Sequence, residues 1–114
     1  MLDAAIPVGV SGEDLDIHSD GAVLRGRIVR PKGTPRAALV LHGATGAPAR
    51  YYRGFAEWAA RERDLAVLTY DYRDFGASLR RPLRESRATL ADWGRLDQSA
   101  ALSMLARMYP DTPL

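Results

Sequence analysis

Two short apolar runs, separated by a stretch with helical periodicity, constrain the fold of this chain most strongly. Residues 37–41 contain almost no polar side chain, and residues 65–70 form a second run of the same kind. Such runs are typical of strands covered on both faces in a parallel sheet. Between them, residues 50–63 carry apolar side chains at helical spacing, with most charged side chains elsewhere on the helical wheel. The order strand, helix, strand predicts a βαβ unit and therefore an α/β fold.

The segments on either side of this unit complete the predicted order of elements. Residues 14–18 and 22–30 alternate between polar and apolar side chains, and the turn-forming residues 19–21 join them, which predicts an antiparallel hairpin. Residues 71–87 are polar and arginine-rich and predict a long surface loop. Residues 93–108 again show helical periodicity. The predicted order is β, β, β, α, β, loop, α, within one domain that spans residues 1–114.

The charge of the chain argues against nucleic acid as a partner. The sequence pI is about 9.3, but the formal net charge is only +2, and acidic residues are scattered among the basic ones. All basic residues except Lys32 are arginines, which raise the pI without creating a strong positive field. An arginine-rich nucleic-acid binder would show steeply salt-dependent binding, which we do not expect.

The residue types present exclude several kinds of site and location. The chain has no cysteine, so disulfides, thiolate metal sites and a cysteine nucleophile are excluded, and we expect neither a metal nor a cofactor. The first ten residues carry Asp3 instead of a basic leader region, and no apolar run approaches the roughly 20 residues of a membrane span. We therefore expect a cytoplasmic protein without a membrane span.

A loop of small residues is the clearest candidate for a functional site. His42, Gly43 and Ala44 follow the apolar run 37–41 and precede the predicted helix, where open α/β sheets place their ligand-binding loops. Small residues allow a loop to approach a substrate closely and to turn its N–H groups inward. Such N–H groups can donate to a developing oxyanion.

Three segments together resemble the α/β-hydrolase superfamily. They are Leu39-Val40-Leu41-His42-Gly43-Ala44, the aromatic-rich helix, and residues 65–78, which end in Asp71-Tyr72-Arg73-Asp74-Phe75-Gly76-Ala77-Ser78. The last segment is similar to the family's Asp-x-Arg-x-x-Gly-x-Ser pattern. The resemblance covers residues 14–114 and is closest to the serine-hydrolase branch that includes monoacylglycerol-lipase-like and serine-aminopeptidase-like proteins. It implies the N-terminal portion of an α/β-hydrolase fold.

The resemblance also implies roles for individual residues. The backbone N–H of Ala44, with Thr45 as the alternative, would stabilise an oxyanion. The candidate substrate-binding residues are His42, Gly43 and Tyr51, with Tyr52 as the alternative to Tyr51 because both tyrosines lie near the loop. The nucleophile would lie in a Gly-x-Ser-x-Gly elbow after a fifth strand, which Pro113 and Leu114 would begin. We therefore expect the chain to end before the elbow and to contain no triad residue.

The function implied is hydrolysis of an ester or amide bond of a small molecule by serine acyl transfer, with this chain inactive by itself. The alternative is a small α/β binding or interaction module without catalysis. These two possibilities differ at residues 37–41, which would be an unpaired, association-prone strand edge if the fifth strand were missing. Association through that edge would favour a fragment, and a cooperatively folding monomer would favour a module.

Several polar residues outside the loop receive structural interpretations. Ser78 is followed by Leu79 and Arg80 where an elbow needs glycine, so we expect its hydroxyl to cap the loop. Ion pairing that pins the loop is the interpretation of the charged cluster Asp71, Arg73 and Asp74. Asp97 lies on an otherwise apolar helix face and is expected to bond a loop N–H or an arginine such as Arg73. The helix core is expected to contain Tyr51, Tyr52, Phe55 and Trp58.

Overall fold

A computed structural model describes residues 9–114. The N-terminal residues on which the expected lack of a leader is based therefore lie almost entirely outside the described part. The predicted hairpin is confirmed, with β1 at Val10–Ser19 and β2 at Ala22–Pro31 paired antiparallel along their full lengths. Asp20 and Gly21 form the turn with φ of 26° and 80°. Two consecutive residues at positive φ match the twist of a tight hairpin, and Asp-Gly is a favoured pair there.

The predicted βαβ unit is also confirmed. β3, Ala37–Leu41, and β4, Leu65–Tyr70, pair in parallel, with Leu39 opposite Val67. β4 also pairs antiparallel with β2, so the strand order within residues 9–114 is β1-β2-β4-β3. The result is a mixed sheet in which β4 is central, and all of its residues after Leu65 are buried.

The edge strand β3 is less buried than its apolar sequence suggested. Leu39 packs toward one side of the sheet and Val40 toward the other, but only Ala38 is fully buried. The Ala38 N–H donates to the Pro113 carbonyl at 2.8 Å, so the end of the chain lies along the outer edge of β3. β3 is half-buried because, within the described residues, β4 is the only strand that pairs with it.

The first helix packs through alanines, and the expected aromatic core is wrong. A 3-10 turn at Ala49–Tyr52 leads into α1, Arg53–Arg63. The helix residues buried against the sheet are Ala56, Ala59 and Ala60. Tyr51 is 75% exposed, Phe55 46% and Trp58 41%. Small side chains allow the helix backbone to approach Val29 and Val67 closely, which leaves the large rings on the outer flank.

The predicted second helix is present, with a wide turn inside it. It runs through α2, Leu90–Asp92, a π-helical turn, Trp93–Asp97, and α3, Gln98–Met108. A π turn adds a residue to one turn and therefore changes which side chains face inward. Here the last residue of the turn is the fully buried Asp97.

Two apolar clusters hold helices against opposite faces of the sheet. On one face, α1 covers Val29 and Val67. On the other face, α3 contributes Ala101 and Leu105, and the strand side chains in the cluster include Ile17, Leu24, Ile28 and Leu68. This arrangement of helix, sheet and helix places the loops after β3 and β4 side by side, because parallel strands end at the same edge.

Candidate functional site

The loop after β3 is built from small residues and turns tightly. His42 follows the last residue of β3, and the Ala47 N–H donates to the Ala44 carbonyl at 3.0 Å. Gly46 has a φ of 86°, a conformation that residues with a side chain rarely adopt. The loop is therefore a short connection between β3 and the 3-10 turn, with its backbone close to neighbouring side chains.

Tyr52 is hydrogen-bonded to the Ala44 N–H, the backbone donor that the sequence suggests for the oxyanion. The Ala44 N–H donates to Tyr52 Oη at 3.1 Å. A Cβ on Gly43 would lie 3.3 Å from Tyr52 Cε2, so the glycine allows the ring to lie close to the loop. Tyr51, the other tyrosine expected near the substrate, points into solvent. Tyr52 is thus the tyrosine of this pair that contacts the loop.

His42 is held by a tyrosine from the central strand. His42 Nδ1 lies 2.6 Å from Tyr70 Oη, and the two rings meet edge to face. Burial lowers the pKa of His42 below its ordinary value. Burial and the neighbouring Tyr72 raise the pKa of Tyr70 well above its usual value of 10. At neutral pH both side chains are uncharged, and the hydrogen bond between Tyr70 Oη and Nδ1 holds the imidazole beside the loop.

The lowered pKa of His42 predicts how the stability of the chain changes with pH. Its imidazole should titrate below 6.5 in the folded chain, because burial disfavours the charged form. The unfolded chain then binds the proton more readily, so the contribution of His42 to stability is complete above pH 6.5 and declines as the pH falls through the lowered pKa. An NMR titration of the His42 ring measures this directly. A titration midpoint above 6.5 would contradict it.

Tyr72 supports the same loop from the segment after β4. Its hydroxyl donates to the Gly43 carbonyl at 2.8 Å and accepts from Gln98 Nε2 at 3.1 Å. Its ring stacks on Trp93 with centroids 4.6 Å apart and an angle of 6° between the planes. Sequence reasoning assigned no role to Tyr72 or Gln98. The two-residue spacing of Tyr70 and Tyr72, which places both on one face of an extended chain, was the available signal.

A cavity of about 290 Å³ lies where these groups meet. One side of it is the loop, and the other is the beginning of the second helix. The residues that line it are Gly43, Ala44, Thr45, Tyr72, Leu90, Trp93, Gly94 and Gln98. Two small loop residues and two aromatic rings in one cavity provide room for an acyl group or a similar small apolar group. His42 and Tyr51 do not line it.

Asp97 joins three separate segments, as its position on the apolar helix face predicted. It accepts hydrogen bonds from Arg73 N at 2.8 Å, from Arg73 Nε at 2.9 Å and from Ser19 Oγ at 2.8 Å. Arg73 also donates to the Ser19 carbonyl at 3.0 Å. The carboxylate is fully buried. It therefore ties the hairpin turn and the loop after β4 to the second helix, which is a structural role.

Asp71 and Ser78, in the segment after β4, are also committed to structure. Asp71 accepts from the Ala49 N–H at 2.7 Å and from the Ala77 N–H at 2.9 Å. Ser78 Oγ donates to the Asp71 carbonyl at 2.7 Å and accepts from the Arg25 N–H at 2.8 Å. Ser78 is buried without a histidine partner among its hydrogen bonds. The expected capping role of Ser78 matches these contacts.

Other kinds of site have no support in the part of the chain that the structure describes. No group of three or more histidine, aspartate or glutamate side chains is placed to hold a metal ion in residues 9–114. The same residues contain no helix that is both long and apolar enough to cross a membrane.

Comparison with solved structures identifies chains of similar fold. A hypothetical protein from Pseudomonas aeruginosa has a TM-score of 0.72 and 22% identity, over 90% of this chain and 32% of that one. A thermostable carboxyl esterase from Bacillus coagulans has a TM-score of 0.69 and 18% identity, over 90% and 34%. An alpha-beta serine hydrolase homologue from Coxiella burnetii has a TM-score of 0.66 and 20% identity, over 88% and 48%. No protein-family model and no curated protein matches the sequence.

The extent of these matches agrees with the observed topology. The chain spans about a third to a half of the length of these structural neighbours. The similarity includes nearly all of the described sheet and both helical layers, since it covers about nine tenths of this chain. At these identities the likeness establishes the fold, and the activity has to be argued from the site. The chain therefore adopts the α/β-hydrolase fold, over the part of that fold which these residues span.

Proposed function

We propose that this chain supplies the oxyanion-stabilising loop of a hydrolase that acts on ester or amide bonds by serine acyl transfer. One observation carries the proposal: Gly43, Ala44 and Thr45 lie at the carboxyl end of β3 and line a cavity with an aromatic opposite side. This is the edge of an open α/β sheet at which ligands bind. The esterases among the structural neighbours fit a small-molecule substrate.

The proposed chemistry uses a backbone amide. The Ala44 N–H has an oxygen acceptor at 3.1 Å, the Tyr52 hydroxyl. An oxyanion that displaced this hydroxyl would accept the same hydrogen bond and would carry more negative charge. A fixed donor of this kind contributes about 3 kcal/mol to the stabilisation of a tetrahedral intermediate. The Thr45 N–H is the alternative donor, since Thr45 lines the same cavity.

The proposed nucleophile is a serine that follows Leu114. Ser19 and Ser78 are buried and hydrogen-bonded within the fold, so neither is assigned this role. The Pro113 carbonyl already accepts from the Ala38 N–H at the outer edge of β3. We place the next strand at this edge and the nucleophile in the turn after it. The chain by itself is proposed to be inactive.

The experiment is to express this chain together with its downstream coding sequence. We expect hydrolysis of p-nitrophenyl butyrate and covalent labelling by a fluorophosphonate probe, with the labelled serine located beyond Leu114 by mass spectrometry. The chain of 114 residues serves as the matched control and should show neither. Labelling of Ser78, or no labelling of the longer protein, would overturn the proposal.

Proline substitution in the longer protein tests which amide acts. Ala44→Pro removes one backbone N–H, and we expect kcat to fall by about 10²- to 10³-fold, the loss typical for one oxyanion donor. Thr45→Pro is the matched variant and should cost much less if Ala44 is the donor. Circular dichroism establishes that both variants fold. A larger loss in Thr45→Pro would assign the role to Thr45.

A binding module without catalysis is the second candidate, because Tyr52 already satisfies the Ala44 N–H in this conformation. The two candidates predict different behaviour of the chain of 114 residues. A monomer in analytical ultracentrifugation that also unfolds cooperatively would favour the module. Dimers or larger species that form through the edge of β3 would favour a part of a larger hydrolase.

A further inference from the structure

A second cavity, of about 200 Å³, lies between the sheet and the beginning of α1. It shares no lining residue with the cavity beside Ala44. Its volume is below the 300 to 1,000 Å³ or so of pockets for drug-sized ligands, so it suits a ligand of few heavy atoms. The inference drawn from this cavity is independent of the proposed hydrolase function.

The position of the cavity follows from the two strands beneath it. Side chains two residues apart share a face of a strand, so Arg27 and Thr69, which are opposite one another in β2 and β4, face the same side as Val29 and Val67. The alanines of α1 cover the two valines. The helix begins at Arg53, however, and leaves open space above Arg27 and Thr69.

The charges around this space favour an anion. Four arginines and two aspartates line it. The arginines are Arg25, Arg27, Arg50 and Arg53. Both oxygens of Asp71 already accept backbone N–H groups, and Asp14 pairs with Arg27 at 3.0 Å. Among residues 9–114, no ion pair engages Arg50 or Arg53. Two guanidinium groups are thus available at the edge of the cavity.

The guanidinium of Arg27 is held close to the β1 backbone and retains an unused donor. A Cβ on Gly12 would overlap Arg27 Nη2, so the glycine provides the space in which this group lies. Arg27 Nε is buried and has no acceptor in the described part of the chain. Buried donors without an acceptor are costly and uncommon in folded proteins. The Arg27 side chain as a whole is 21% exposed, so its other atoms remain accessible to a ligand in the cavity that it lines.

The apolar residues that line the cavity indicate the chemistry of the uncharged part of the ligand. Its apolar members are Val29, Ala49, Ala56 and Ala77. An apolar surface beside guanidinium groups suits a carboxylate that carries a short hydrocarbon chain better than it suits a fully hydrated inorganic anion. We propose that this cavity binds a small aliphatic carboxylate, with the carboxylate at Arg27 and Arg53 and the hydrocarbon part against Val29 and Ala56.

The test is an NMR titration of the ¹⁵N-labelled chain with butyrate at constant ionic strength. We expect saturable shifts of amides around the cavity, among them Ala49, Arg53 and Ala56. Arg53→Gln should weaken butyrate binding about tenfold or more, because it removes a charge-assisted hydrogen bond. Arg84→Gln makes the same change of charge at an exposed site that does not line the cavity, and it should bind like the parent chain.

A second variant and two further anions complete the test. Arg27→Gln should also weaken binding, and Arg53→Gln decides alone if that variant does not fold. Inorganic phosphate and chloride serve as comparison anions. Phosphate that binds more tightly than butyrate would overturn the assignment of a carboxylate. Shifts that do not saturate, or an equal effect of Arg84→Gln and Arg53→Gln, would show general attraction to positive charge and would overturn the site.

Discussion

Replacement of Asp97 by alanine is expected to lower the free energy of unfolding by about 3–5 kcal/mol, the cost of removing one partner from a buried ion pair. Asp97 is fully buried and accepts hydrogen bonds from Ser19 and from two nitrogens of Arg73. Without the carboxylate, the Arg73 guanidinium remains largely buried without a counter-charge, and the Arg73 N–H loses its acceptor. Urea unfolding followed by circular dichroism measures the change.

Two matched variants separate this effect from a general effect of charge. Asp111→Ala removes the same charge from an exposed residue after the last helix and should change stability by less than about 0.5 kcal/mol. Asp97→Asn retains one carbonyl acceptor, so its loss of stability should lie between those of Asp97→Ala and Asp111→Ala. If Asp97→Ala unfolds within about 1 kcal/mol of the parent chain, the network does not join the three segments as described.

Replacement of Leu105 by alanine is expected to cost about 2–5 kcal/mol of stability. Leu105 is fully buried and belongs to the cluster through which α3 packs on the sheet, beside Ile28 and Leu68. The substitution removes buried apolar area and leaves a cavity in a closely packed layer. Thermal or urea unfolding provides the measurement.

Leu102→Ala is the control for this prediction, because it makes the same chemical change one turn earlier in the same helix. Leu102 is 43% exposed, so we expect a loss well below that of Leu105→Ala. Equal losses in the two variants would mean that the burial of Leu105 is not what stabilises α3 on the sheet. In that case the packing of α3 on the sheet, and with it the position of Trp93 and Gln98 at the cavity, would need revision.

The loops after β3 and β4 illustrate how the site depends on the whole fold. Ala44 is adjacent in sequence to no residue that holds it, since Tyr52 reaches it from the 3-10 turn and Tyr72 reaches Gly43 from beyond β4. Trp93 and Gln98 come from the second helix. Local sequence pattern locates the loop, but these contacts depend on the relative positions of three elements.

The incorrect prediction of an aromatic core at α1 has a similar cause. Periodicity placed Ala59 on one apolar helix face together with Tyr51, Phe55 and Trp58. Of these four residues only Ala59 is buried, and it contacts the sheet with Ala56 and Ala60. A hydrophobic pattern indicates which residues prefer burial and does not include the distance between the layers. Close packing of a helix on a sheet selects the small side chains.

The amino-acid sequence by itself determined the order of strands and helices, the hairpin, the small-residue loop at 42–46 and the structural role of Asp97, because each follows from local periodicity, turn chemistry or the cost of burying a charge. Only the tertiary structure decided which tyrosine reaches Ala44, which face of α1 is buried, and that arginines from β2 and α1 surround one cavity. These features depend on distances between elements far apart in the chain, and such distances are set by packing, which no local pattern encodes.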